Sequence, residues 1–81
     1  MSLHWFSPPV PVRTSKPGAR YNCNNVEEAA RELMEWTNRG PMWNQAVRAC
    51  MSCLAGEMTP EDVRRAFFAA AEEEGTLVSD H

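Results

Sequence analysis

Three segments of the chain share one pattern: a polar start, apolar residues three to four positions apart, and a glycine stop. The last is the plainest. Thr59 supplies an N-cap hydroxyl, Pro60 fills the first helical position, and Glu61 and Asp62 occupy the first turn. Val63, Ala66, Phe67 and Ala70 then recur at helical spacing until Gly75. Asn25 opens the first segment as N-cap, with Glu27 and Glu28 near the positive end of the helix dipole. At about 100° per residue, Val26, Ala29, Ala30, Leu33, Met34 and Thr37 share a face, with Trp36 on its flank. Asn38-Arg39-Gly40-Pro41 ends that helix, and Pro41 starts the next. Its expected core face is Trp43, Ala46, Val47, Cys50, Met51, Cys53 and Leu54, with Asn44, Gln45, Arg48 and Ser52 outside and Gly56 as the stop. The short link Gly56–Met58 makes the second and third helices neighbours.

Before Asn25 the period changes from helical to two. Val10-Pro11-Val12-Arg13-Thr14 alternates, and Pro11, lacking an N–H, belongs on an edge or pointing out of the ladder. Ser15-Lys16-Pro17-Gly18 reads as a turn, and Ala19–Asn24 alternates again, with Tyr21 and Cys23 opposite Arg20 and Asn22. A lone hairpin is marginal in water, so this one must lie on the helices. The expected fold is α+β: an N-terminal two-stranded antiparallel hairpin packed on three α-helices, in the order ββααα. Residues 1–9 form an extended lead-in, 10–78 a single small domain and 79–81 a tail; Leu77 and Val78 are expected to fold back.

Composition narrows the function more than the fold. An 81-residue chain builds a small core, so a second copy or a protein partner is a natural supplement. The net charge of −3 is unevenly spread. Arg13, Lys16 and Arg20 leave the first 24 residues basic, whereas five arginines face eleven acids in the rest. An acidic body repels phosphate backbones, which makes nucleic acid a poor partner. There is no apolar run long enough to span a membrane, and no basic stretch leading into an apolar core as in a secretory signal. Three cysteines form no paired framework, and reduced thiols in the cytoplasm are the expected state.

Cys50-Met51-Ser52-Cys53 is the one pattern with the spacing of a reactive motif. Redox pairs of this kind sit at a helix N-terminus, where the dipole stabilises a thiolate; here both cysteines fall in the later half of their helix, on its apolar face. A zinc site would need further ligands, and only Cys23, His4 and His81 remain. Cys50, Cys53 and Cys23 are therefore weighed first as core residues and second as metal or redox groups. The histidines have no Ser, Cys or Asp at triad spacing, and the glycines form no phosphate-binding loop. Glu72-Glu73-Glu74 crowds the negative end of the third helix and reads as a solvated face. No catalytic residue and no cofactor is nominated. Trp36, Trp43 and Phe68 exceed what so small a core needs and form the candidate interaction surface. The reading is a non-catalytic interaction or accessory domain, homodimeric in one version and bound to another protein in a second. The alternative is a metal-binding or thiol-redox protein using Cys50 and Cys53.

Read as a whole, the chain resembles a family of short bacterial proteins known as domain of unknown function number nine hundred and eighty-two. The likeness rests on Val10-Pro11-Val12, on Asn25-Val26-Glu27-Glu28-Ala29-Ala30, and on Leu33 and Trp36. It continues through Gly40, Ala46, Cys50, Leu54 and Gly56 to Arg65-Ala66-Phe67 and Ala70-Ala71-Glu72-Glu73-Glu74-Gly75. The resemblance spans about Pro9 to Val78 and implies a hairpin followed by three helices. It implies no activity, cofactor or catalytic residue, and Cys53 lies outside its pattern.

Overall fold

The computed structural model describes residues 4–13, 20–36 and 39–75. The expected turn at Ser15–Gly18, Thr37, and the Leu77–Val78 tail lie outside these residues. The order is β1 (Trp5–Arg13), β2 (Arg20–Asn25), α1 (Val26–Glu35), α2 (Pro41–Leu54) and α3 (Pro60–Glu74). This is the α+β hairpin followed by three helices that the periodicity predicts.

The strands form a two-stranded antiparallel sheet in which Val10 faces Cys23, Pro11 faces Asn22 and Val12 faces Tyr21. Val10, Val12 and Cys23 are buried on the inner face, as a period of two requires. β1 starts earlier than Val10. It runs back through the expected lead-in to Trp5, which pairs with Asn25 across an irregular stretch between Trp5 and Val10. That bulge is fastened to α3: the Ser7 N–H donates to Glu61 Oε2 at 3.3 Å, and Arg64 Nε donates to the Pro8 carbonyl at 2.8 Å. Local alternation cannot register a strand end whose partners lie far along the chain.

The helix starts follow the sequence. Asn25 Oδ1 accepts from the Glu28 N–H at 2.8 Å, and Thr59 Oγ1 accepts from the Asp62 N–H at 3.3 Å. At the end of α2 the Gly56 N–H reaches the Cys53 carbonyl and the Glu57 N–H reaches the Ser52 carbonyl, closing the helix through Gly56 at φ +83°. α2 starts differently. Gly40 provides no side-chain cap; instead Glu73 of α3 reaches across, its Oε1 accepting from the Met42 N–H at 3.2 Å. The acidic run that opposes its own helix dipole thus places one carboxylate on the positive end of another.

The core joins the inner face of the sheet to Val26, Ala29 and Leu33 of α1, Ala46, Ala49, Cys50 and Cys53 of α2, and Val63, Phe67, Ala70 and Ala71 of α3. Trp36 stacks on Phe67 with ring centroids 5.5 Å apart. Two expected core faces need correction. Met34 on α1 is 51% exposed, while Met51 and Leu54 on α2 are 66% and 48% exposed. α2 instead buries Ala49, and its face against the core is narrow and made of small residues.

Candidate functional site

Cys50 and Cys53 have the spacing of a reactive pair. Cys50 and Cys53 lie on the buried stripe of α2, and Cys23 on the buried face of β2, its thiol donating to the Asn25 carbonyl at 3.6 Å. Burial pushes the Cys50 thiol up to about 12, reinforced by Cys53 and Glu27. Burial also carries Cys23 to about 12, against the hydrogen bond to Asn25, and raises Cys53. Such groups stay protonated near neutrality and are poor nucleophiles. Among the described residues, no three His, Cys, Asp or Glu side chains are grouped to hold a metal ion.

The proposed aromatic surface separates into three different roles. Trp36 is 6% exposed and belongs to the core. Trp43 is half-buried, with its indole N–H donating to the Leu33 carbonyl at 2.6 Å. Arg39 lies over the same ring at 4.7 Å and donates to the Trp36 and Met34 carbonyls at 3.2 and 3.0 Å. Arg39 thus satisfies the Met34 and Trp36 carbonyls at the end of α1, and Trp43 adds a second donor to the Leu33 carbonyl, which also accepts from the Trp36 N–H at 3.3 Å. Phe68, 37% exposed on α3, lines a shallow depression with Arg64 and Arg65.

His4, which the sequence leaves without a role, is tied to the start of α1. Its backbone N–H donates to Glu27 Oε1 at 3.0 Å, its Nδ1 lies 2.6 Å from Oε2, and its carbonyl accepts from the Val26 N–H at 2.9 Å. Partial burial raises the Glu27 carboxyl, but the His4 amide and ring outweigh it, so the net shift is downward. Among the described residues no hydroxyl or thiol bonds the His4 ring, and the pair has the geometry of a clasp.

Among the described residues the exposed large apolar side chains are Met51 and Leu54 on α2, Met34 on α1, Phe68 on α3 and Trp5 on β1, while Val47, on the same side of α2 as Met51 and Leu54, packs partly against the core. On a helical wheel the apolar residues of α2 spread over roughly 200°, more than one packing face covers. That excess width was the available signal for these residues. The opposite flank of α1 carries Glu28 and Glu32 beside Tyr21 and Cys23 of β2. The flank with Ala30 and Met34 therefore faces α2, where Trp43 meets the Leu33 carbonyl. On the other side of α2, an open groove of about 520 Å³ is lined by Gln45, Arg48, Ser52, Met58, Asp62 and Ala66, among others. No set of convergent acids, bases and nucleophiles accompanies either surface among the described residues.

Comparison with known proteins agrees with this fold. The profile of a family described as "Protein of unknown function (DUF982)" matches residues 8–78. The NMR structure of Agrobacterium tumefaciens protein Atu1219 is similar, with a TM-score of 0.74 and 34% identity, over 95% of this chain and 78% of that one. No curated protein matches this chain.

Proposed function

Because the chain belongs to the DUF982 family, whose description carries no activity, we propose from its own surfaces that it is a small non-catalytic interaction domain of the cytoplasm that pairs with a second copy of itself. The observation that carries this reading is the exposure of Met34, Met51 and Leu54 along the α1–α2 side. Large apolar side chains gathered on one side of a small domain mark a contact surface. Charge favours a second copy there. α2 has no acidic residue, whereas α1 and α3 are acid-rich, so α2 is where two acidic molecules meet with least repulsion. Apolar area covered in this way supplements a core made largely of alanine, valine and cysteine. No helix among the described residues is long and apolar enough to cross a membrane.

Sedimentation at tens of micromolar tests the reading. The parent protein should sediment at twice the monomer mass, and Met51→Glu with Leu54→Glu should return it to the monomer with its circular dichroism unchanged. A parent that stays monomeric, or a double variant that still dimerises, overturns self-association. The alternative metal or redox reading has no comparable support, since Cys50 and Cys23 are buried thiols raised to about 12.

A further inference from the structure

We propose that the outer edge of β2 receives an extended basic peptide segment as a third strand, with Glu28 and Glu32 of α1 facing its cationic side chains. This surface lies on the flank of α1 opposite α2 and is independent of the self-association proposed above.

The two edges of the sheet differ in kind. β1 carries Pro8, Pro9 and Pro11, and its bulge is held by Glu61 and Arg64, so that edge offers an interrupted set of donors and is tied to α3. β2 has no proline, and among the described residues its only strand partner is β1. Register decides what the free edge presents. Pro11 has no N–H, so the Pro11–Asn22 pair cannot exchange two backbone bonds. In an antiparallel ladder the bonded pairs are then Val10–Cys23 and Val12–Tyr21, and Arg20 and Asn22 aim their backbone N–H and C=O groups outward; past the irregular stretch the Val26 N–H donates to the His4 carbonyl at 2.9 Å, which turns Asn24 towards β1. Two such residues at i and i+2 provide the repeat that an added strand reads.

Charge selects the occupant. α1 packs against β2, and Tyr21 and Cys23 lie within the influence of both Glu28 and Glu32. Arg31 takes one oxygen of Glu28 at 2.6 Å. Glu32 keeps a raised carboxyl, through burial and then the charges of Glu35 and Glu28, with Arg31 opposing. A lysine or arginine on the inward face of a third strand relieves that crowding. A second copy joined through the same edge would instead bring another Glu28 and Glu32 alongside, which like-charge repulsion opposes.

Two capped synthetic peptides, one alternating lysine with valine and one alternating glutamate with valine, test this by amide-resolved NMR titration. The lysine peptide should bind and shift the amides of residues 20–22, and the glutamate peptide should not. Asn22→Pro removes an outward donor without touching a bond to β1, and should weaken the lysine peptide by about tenfold. Glu32→Gln, a substitution on a partly exposed position, should weaken it several-fold and flatten its salt dependence. Equal binding of both peptides overturns the proposal, as does indifference to both substitutions. So does a dimer in the parent protein that Asn22→Pro alone dissolves, because the edge would then belong to a second copy.

Discussion

Small side chains set the character of this core at the residue scale. α2 turns two alanines and two cysteines inward, and each cysteine serves as a compact apolar group. Their protonation nevertheless leaves a measurable mark. Cys23 and Cys50 hold folded values of about 12, above the ordinary thiol value of about 8.5. A raised folded value means that the unfolded chain loses its proton first. The stability tied to these thiols is therefore full below about pH 8.5 and declines as pH rises towards 12. Chemical denaturation between these limits should show the decline, and Cys50→Ala should make it shallower. At pH 8 a thiol reagent should label the native protein slowly, and all three cysteines once it is denatured.

Among the elements, α1 and α3 carry their own start signals, whereas α2 borrows one. Asn25→Ala and Thr59→Ala should each cost about 0.5–2 kcal/mol in thermal or chemical unfolding. A Cβ at Gly40 would lie 2.5 Å from Glu73 Oε1, although φ there is −81° and accepts any residue. Gly40→Ala should thus act by displacing the Glu73 carboxylate from the Met42 N–H rather than by straining the backbone. A double-mutant cycle with Glu73→Ala checks this: the two changes should be non-additive by about 0.5–1 kcal/mol. Caps within a segment were legible in the sequence because donor and acceptor lie three residues apart. The Glu73 contact was not, since it spans 31 residues between side chain and amide. The apolar arc of α2 was legible but too wide, and only packing between α1 and α3 selected Ala49 and Cys53 over Met51 and Leu54.

For the molecule as a whole, distant contacts fix where the sheet sits. The His4–Glu27 clasp holds the start of β1 to the start of α1, across 23 residues. The folded Glu27 carboxyl lies below its unfolded value of about 4.3. Its contribution is therefore complete above that pH and is lost as pH falls through the lower folded value. Glu27→Gln should lower stability at neutral pH and make the acid limb of the stability–pH curve less steep. The hairpin and the helix count were legible from local periodicity. The early start of β1 and the outward faces of Met34 and Met51 were not, because each is decided by what packs from elsewhere in the chain.

The anchoring of the β1 bulge to α3 also has a meaning for synthesis. Ser7 reaches Glu61 and Pro8 reaches Arg64, contacts 54 and 56 residues apart. A ribosome must therefore release α3 before the first strand can find its seat. Until then the emerging hairpin has Val10 and Val12 without the helix that covers them. The fold should appear late and all at once when α3 has emerged, and nascent chains stalled before Thr59 should remain open to protease along their length.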